Sequence, residues 1–243
     1  MSRRCLCFSL FLVATSAAAE ASCVDPSTLV RSTVNLTRIY NKEESRPGTG
    51  VLGIRGTGWF LTPRLVVTAA HVTEAMHLSE QDWKEVEIKE RDSKESIGVR
   101  IRGILGSQSE RVAVLELKSP FAGAAVLSKR AEPLVPEEPL VSLAYPNDAL
   151  RFAGGRFVKY GDSGRLAGLA LLEMYDGNDR LVLDHGASGA PVLDCDGKVV
   201  AVVSTLMTTT MSFPSRTIRV STAWQTPNVA SVPIEVLKNF SPE

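Results

Sequence analysis

The chain has 243 residues, 27 of them basic and 27 acidic, so its formal net charge is zero. A nucleic-acid-binding protein usually carries a basic excess or a basic stripe, and this even balance argues against that class. Three histidines and four cysteines do not show the spacing of a zinc site, so no metal is expected.

The first 22 residues are predicted to be a signal peptide. Arg3 and Arg4 precede a short apolar run at 5–13, and Ala17-Ala18-Ala19 offers the small residues of a cleavage site. The apolar run is too short to span a bilayer comfortably. The mature protein is therefore expected to be secreted or periplasmic and to have no membrane segment.

Cys5 and Cys7 would leave with the signal peptide, so Cys23 and Cys195 are the cysteines of the mature chain. In an oxidising compartment such a pair can form a disulfide, which here would tie the N-terminal arm to the second half. Two separate thiols are the alternative, because geometry decides whether a bridge can form.

Short strands dominate the rest of the chain and favour an all-β barrel or sandwich. A Pro-rich stretch at 132–139 indicates an extended linker between two halves. Helix is expected as one turn after His71 and at 233–240, where Ile234, Leu237 and Phe240 share a face. Residues 207–216 are expected to form an exposed loop. The predicted strands are 58–62, 65–68, 86–88, 99–104, 112–117, 140–144, 156–159, 169–172, 181–183, 190–193 and 199–204.

Two motifs carry the chemistry: TAAH at 68–71 and GASGAPV at 186–192. A serine hydroxyl is a poor nucleophile until a neighbouring base takes its proton, and Ser188 and His71 are the candidates for these two roles. A tetrahedral intermediate also needs backbone N–H donors aimed at its oxyanion, and the amides of Gly186 and Ser188 are the candidates.

The surroundings of both motifs resemble the trypsin-like (chymotrypsin-fold) serine peptidases, especially their compact bacterial members. The resemblance rests on WFLT at 59–62 with VVTAAH at 66–71, and on GASGAPV with the hairpin turn Asp196-Gly197 that follows it. It implies two packed antiparallel β-barrels with the active site between them. With the Pro-rich divider, the first barrel is predicted to span 23–131, and the second, with a short C-terminal helix, 132–243.

The resemblance also implies a function. A serine endopeptidase would hydrolyse peptide bonds of a protein or peptide substrate through a Ser188 acyl-enzyme, with His71 as general base. It implies no metal and no organic cofactor.

The third member of the triad departs from the family's pattern. Where the family has Asp-hydrophobic-Ala-hydrophobic-Leu, this chain has Arg111 followed by VAVL. The adjacent Glu110 could orient the histidine instead, although a shift of one residue on a regular strand turns a side chain to the opposite face. In the other interpretation Glu110 is a surface carboxylate. The protein is then an impaired pseudo-peptidase that acts as a protein- or peptide-binding module.

The same resemblance implies a substrate pocket. Val182 would lie at its base, and the run Ser204-Thr205-Leu206 would match the edge strand that meets the substrate. A leucine in place of the family's glycine would narrow the pocket, and Val182 offers no counter-ion. The residue before the scissile bond is therefore expected to be small or apolar, unless the pocket is occluded. Separately, Asn35-Leu36-Thr37 matches an acceptor pattern for glycosylation.

Overall fold

The computed structural model describes residues 23–41, 44, 53–91, 93–106, 110–176, 183, 185–206, 209–213, 216–220 and 227–242. The predicted signal peptide and Val182 lie outside these residues. Within them, no helix is long and apolar enough to cross a membrane.

Strands make up most of the described chain, and helices are short. The strands are β1 (Thr33–Ile39), β2 (Gly53–Thr62), β3 (Leu65–Ala69), β4 (Lys84–Glu90), β5 (Ser93–Leu105), β6 (Val112–Leu117), β7 (Pro139–Ala144), β8 (Arg151–Tyr160), β9 (Ala170–Tyr175), β10 (Pro191–Leu193), β11 (Val199–Leu206), β12 (Thr209–Phe213), β13 (Arg216–Val220) and β14 (Val229–Pro233). The α-helices are α1 (Pro26–Leu29) and α2 (Ala70–Ala75), and 3₁₀ turns lie at Val30–Ser32, Pro146–Asp148, Gly164–Leu166 and Ile234–Leu237.

Twelve of these strands form two closed antiparallel barrels, which confirms the predicted architecture. The first barrel runs β1-β2-β3-β6-β5-β4 and closes where β1 pairs with β4. The second runs β10-β11-β14-β9-β8-β7 and closes where β10 pairs with β7. The predicted division between residues 131 and 132 falls between the two sets of strands.

Alternation along the strands divides the buried side chains among three clusters. Phe60 and Val66 pack inside the first barrel, and Phe157 packs inside the second. Val67, the next residue after Val66, points the other way and joins a third cluster that also contains Val202 of the second barrel. This shared cluster packs the barrels against each other, so residues from both can meet at one fixed site.

The Pro-rich stretch between the barrels is anchored by Arg130. Its guanidinium donates to the carbonyl oxygens of Glu132 and Pro133 at 3.0 and 2.9 Å. It also pairs with the Glu138 carboxylate and reaches Asp194 at 3.4 Å. The hydrogen bond from Arg130 lowers the pKa of Glu138. The predicted linker is therefore pinned to the second barrel.

The structure differs from the sequence prediction at several strands. Residues 207–216 were expected to form a loop, but 209–213 and 216 belong to β12 and β13, which pair as two antiparallel strands, consistent with the β-branched threonines of the segment. The sequence reading also missed β1, whose alternate residues Thr33, Asn35 and Thr37 are polar and yet buried. Leu183, from the predicted strand 181–183, lies outside any strand, and residues 181 and 182 are not described.

The C-terminal helix is shorter than the predicted 233–240. It is a 3₁₀ turn at Ile234–Leu237, and both of these apolar residues are buried. The carbonyl oxygen of Leu237 accepts from the N–H of Phe240 and from Lys129 Nζ at 2.8 Å, which closes the turn there.

Cys23 and Cys195 form a disulfide, with their Cα atoms 4.2 Å apart and a separation of 172 positions in the sequence. The N-terminal arm that it holds also contributes Leu29 to the cluster shared by the barrels. Arg31 of the same arm donates to the carbonyl oxygen of Gly123 at 2.9 Å. The arm is therefore fixed by covalent, apolar and polar contacts.

Replacing Cys23 by serine is expected to lower the free energy of unfolding by about 2–4 kcal/mol, because the unfolded chain loses a long-range constraint. Urea denaturation of the oxidised protein and of Cys23→Ser measures the difference. In a reducing buffer the two proteins should unfold together. Two alkylatable thiols in the non-reduced, exported protein would contradict the disulfide.

Candidate active site

A cleft of about 750 Å³ is lined by residues of both barrels. The first barrel contributes His71 of α2 and Arg55 of β2, and the second contributes His185, Gly186 and Ser188. The two predicted chemical motifs therefore meet in one cleft.

His71 is positioned by a sharp turn from β3 into α2. The N–H of Ala70 donates to the carbonyl oxygen of Arg111 at 2.8 Å, which fixes the start of the helix beside β6. Ala69 and Ala70 are buried at this junction, where a larger side chain would have to displace the core. The imidazole that follows them keeps 46% of its surface exposed in the cleft.

Thr57 of β2 holds the loop that carries Ser188. Its N–H donates to the carbonyl oxygen of Ser188 at 2.9 Å, and its hydroxyl donates to that of Gly186 at 2.6 Å. The same hydroxyl accepts from the N–H of Tyr145 at 3.0 Å. Thr57 is fully buried, so these bonds are shielded from water. One first-barrel residue thus fixes the second-barrel loop from two sides.

Glycines on either side of Ser188 permit this close approach. Gly186 and Gly189 have φ of 96° and 92°, a backbone conformation that residues other than glycine rarely adopt. A Cβ on Gly189 would lie 2.1 Å from the carbonyl oxygen of Thr57 and 2.2 Å from Thr68 Oγ1. The hydrogen bonds among the described residues leave the amides of Gly186 and Ser188 without an acceptor. Both N–H groups are therefore available to an oxyanion.

Glu110 is the carboxylate beside the histidine. Its Oε2 lies 3.8 Å from His71 Nδ1 and accepts a hydrogen bond from the Ser204 hydroxyl. The carbonyl oxygen of Ser204 in turn accepts from Ser188 Oγ at 3.2 Å. Glu110 precedes β6 and does not belong to it, so the alternation of a regular strand does not fix the direction of its side chain.

Arg111, at the position where the family resemblance expects an acid, turns to the surface. Its Nη2 pairs with Glu74 Oε1 of α2 at 2.8 Å, and both side chains are substantially exposed. Its backbone carbonyl is the acceptor for Ala70. The cation is thus paired on the outer side of α2.

The charge state of His71 suits a base. Partial burial of the ring lowers the pKa of His71 below its ordinary value of 6.5, and the negative charges of Glu110 and Glu74 oppose this shift in part. The imidazole is therefore mainly neutral at pH 7 and can accept a proton.

The expected hydrogen bond between Ser188 and His71 is not among the contacts of the described residues. Ser188 Oγ instead donates to the carbonyl oxygen of Ser204. Because a hydroxyl has one proton, this bond must break before Ser188 Oγ can donate to the imidazole. Catalytic hydrogen bonds in empty sites are often formed only when substrate is bound.

The predicted substrate pocket is only partly described. Val182 lies outside the described residues, and Leu206 ends β11. Ser204 is buried, and its hydroxyl is bonded to Glu110. The sequence analysis placed Ser204 in the pocket wall and did not predict this contact. Thr57 was also missed, although its position between two glycines in GTG at 56–58 was a signal of close backbone contact.

Replacing Thr57 by valine keeps the side-chain volume but removes the donor to Gly186 and the acceptor for Tyr145. We expect the free energy of unfolding to fall by about 1–3 kcal/mol and turnover to fall with it, because the Ser188 loop loosens. Thr57→Ser keeps the hydroxyl and serves as the control. Urea denaturation and steady-state kinetics of the three proteins make the comparison, and equal behaviour of the valine and serine variants would contradict it.

The comparisons with known proteins concern the family and the fold. The family model of the trypsin-like peptidase domain matches residues 56–202, a range that contains both His71 and Ser188. No curated protein is similar enough in sequence to count as a relative.

Solved structures of one protease, Rv3671c of M. tuberculosis, share the fold. Its active form has a TM-score of 0.57 and 17% identity, and the alignment covers 88% of this chain and 80% of that one. An inactive form has a TM-score of 0.56 and 17% identity, with coverages of 87% and 88%. A serine-to-alanine mutant in its inactive form has a TM-score of 0.55 and 16% identity, with coverages of 87% and 85%. At these identities the likeness shows the chymotrypsin-like fold alone.

Proposed function

Since the chain belongs to the family of trypsin-like peptidases, we propose that it is an exported serine endopeptidase with Ser188 as nucleophile and His71 as general base. The observation that carries the proposal is the position of Glu110. A carboxylate 3.8 Å from His71 Nδ1 supplies the orienting group that the substitution at Arg111 had put in doubt.

The proposed reaction begins when Ser188 Oγ attacks the carbonyl carbon of the scissile bond and His71 takes the hydroxyl proton. The amides of Gly186 and Ser188 bind the oxyanion of the tetrahedral intermediate. His71 then gives its proton to the leaving amine, and the acyl-enzyme forms. Water repeats the two steps on the ester and releases the acid.

Glu110 would act on His71 without touching the substrate. Its carboxylate favours the tautomer that carries a proton on Nδ1 and leaves the other nitrogen free as the base. It also stabilises the imidazolium that forms during the reaction. The hydrogen bond from Ser204 holds the carboxylate in place, which supports a positioning role over that of an ordinary surface acid.

The substrate is proposed to be a protein or peptide with a small or apolar residue before the scissile bond. The resemblance puts Val182 at the base of the pocket, where a charged side chain would find no counter-ion. Export is proposed from the signal-like sequence at 1–22, and the disulfide between Cys23 and Cys195 supports it because such bonds persist in oxidising compartments.

Labelling by a fluorophosphonate probe tests the proposal, since it needs an activated serine and no particular substrate. Wild-type protein is expected to be labelled at Ser188, and Ser188→Ala is expected to stay unlabelled. His71→Ala should react slowly because the base is lost. A folded wild-type protein that the probe does not label would support the pseudo-peptidase instead.

Glu110→Gln should reduce turnover strongly, because a serine-peptidase triad loses about 10⁴-fold when its acid becomes an amide. The removal of its charge should also move the acidic limb of the pH profile of kcat/KM to lower pH, since that charge raises the pKa of His71.

Two matched variants control this experiment. Glu74→Gln removes the other carboxylate that raises the pKa of His71. It should move the acidic limb of the pH profile less than Glu110→Gln does, and it should nearly preserve turnover. Arg111→Asp should change turnover little, because the acid's role is already filled. A rate gain in Arg111→Asp together with an unchanged rate in Glu110→Gln would show that Glu110 has no such role.

A further inference from the structure

One donor of the proposed oxyanion hole depends on the direction of the His185–Gly186 peptide plane. In a trans peptide the C=O and the N–H point in opposite directions. The carbonyl oxygen of His185 accepts from the N–H of Asn147 at 3.2 Å. The N–H of Gly186 therefore points away from Asn147. If the plane rotated, this N–H would face the N–H of Asn147 and would be lost to the oxyanion.

Gly186 itself does little to prevent that rotation. It has no side chain, and its φ of 96° lies in a region that glycine adopts freely. A Cβ could not be added as a lock, because it would lie 2.8 Å from the carbonyl oxygen of Tyr145. The plane must be held by hydrogen bonds from outside the loop.

The turn that supplies the Asn147 N–H is left-handed. Asn147 and Asp148 have φ of 51° and 66°, in a region that glycine adopts freely and that Asn and Asp adopt more often than other side chains. A hydrogen bond of 3.2 Å from the N–H of Ala149 to the carbonyl oxygen of Pro146 closes the turn. Such conformations persist where the surroundings hold them.

Asp148 connects this turn to the first barrel. Its Oδ1 accepts from Asn35 Nδ2 at 2.7 Å, and its Oδ2 pairs with Arg55 Nη1 at 2.6 Å. Arg55 is 56% exposed, so its ion pair contributes little in water. Asn35 is only 2% exposed, so its charge-assisted hydrogen bond to the carboxylate is the stronger contact. The buried Asn35 is thus bonded within the fold and is not presented as a glycosylation acceptor.

We propose that Asp148 is a positioning residue for the oxyanion hole. Bound to Asn35 of β1, it holds the left-handed turn so that the N–H of Asn147 stays bonded to the carbonyl oxygen of His185. That bond in turn directs the N–H of Gly186 to the oxyanion. Asp148 acts through the backbone and does not touch the substrate. The inference rests on the proposed peptidase function only for its effect on rate.

Replacing Asp148 by alanine should lower kcat about 10–100-fold with KM nearly unchanged, because losing one oxyanion donor outright costs about 10²–10³-fold. Asp148→Asn keeps the acceptor for Asn35 and should lie within about threefold of wild type. Asp162→Ala is the matched control, because Asp162 is 82% exposed and pairs loosely with Lys159 at 3.7 Å. If the alanine variant fails to fold, Asp148→Gly removes the carboxylate without the strain at positive φ and should show the same loss.

Inhibition by a peptide aldehyde separates positioning from substrate binding, because the hemiacetal oxygen occupies the oxyanion hole. Its affinity should fall in Asp148→Ala by about the same factor as kcat/KM. A rise in KM with unchanged kcat would overturn the proposal and make Asp148 a substrate-binding residue. Equal losses in the alanine and asparagine variants would also overturn it, since the ion pair with Arg55 would then be the important contact.

A spectroscopic measurement tests the peptide plane without any activity. In protein labelled with ¹⁵N-glycine, the amide resonance of Gly186 should move in Asp148→Ala and stay in place in Asp148→Asn and Asp162→Ala. An unmoved resonance would overturn the proposal. If the wild-type protein is not labelled by fluorophosphonate, the proposed function fails, and this measurement still decides whether Asp148 orients the peptide.

Discussion

The docking of the Ser188 loop onto Thr57 is the interaction on which the rest of the site depends. Neither barrel contains a complete site: His71 belongs to the first and Ser188 to the second. Apolar packing in the shared cluster brings the barrels together, but it is non-directional and does not fix a loop to a fraction of an ångström. The hydrogen bonds from Thr57 to Gly186 and Ser188 do. They require glycine at 189, because any larger residue would strike the Thr57 carbonyl.

The neighbouring strand β1 makes a second polar contact from the first barrel to the second. Asn35 lies directly opposite Thr57 in the β1–β2 register, and it bonds to Asp148 of the second barrel as Thr57 bonds to Gly186. One cross-strand pair therefore contacts both segments that shape the oxyanion hole. This explains two of the polar residues that β1 buries: Asn35 bonds across the interface to Asp148, and the Thr37 hydroxyl donates to Asn35 Oδ1 at 3.5 Å. Thr33 Oγ1 is also buried and has no hydrogen-bond partner among the described residues.

Much of this fold was predictable from the sequence. Apolar residues at alternate positions indicate barrel strands, and the motifs at 68–71 and 186–192 indicate the local geometry around His71 and Ser188. The runs around Val66 and Val202 are examples. Two of the features that sequence reasoning missed share a physical cause. Strand β1 and Thr57 owe their burial to partners far away in the chain, and a buried polar residue looks like a surface residue until its partner is known. Strand β12 and the start of β13 lie in a segment rich in Thr, Ser and Pro, so that segment was taken for a loop.

The position of the acid was also only partly predictable from the sequence. The sequence reading could identify both Glu110 and Arg111 but could not choose, since the argument from strand alternation assumed that Glu110 lies on a strand. It lies two residues before β6, in a bend of the backbone. There the longer glutamate side chain reaches His71 while Arg111 bonds outward to Glu74. The proposed displacement of the acid by one residue is possible because Glu110 lies in a loop and not on the strand.

The resting position of Ser188 fits a competent site. Its hydroxyl donates to the carbonyl oxygen of Ser204, and rotation toward His71 exchanges that hydrogen bond for another. Each such bond contributes about 0.5–1.5 kcal/mol net, so the exchange is close to balanced and is no barrier beside the activation energies of peptide hydrolysis. Ser204 stays bonded to Glu110 through its own hydroxyl during the exchange. The acid therefore remains fixed while the nucleophile moves.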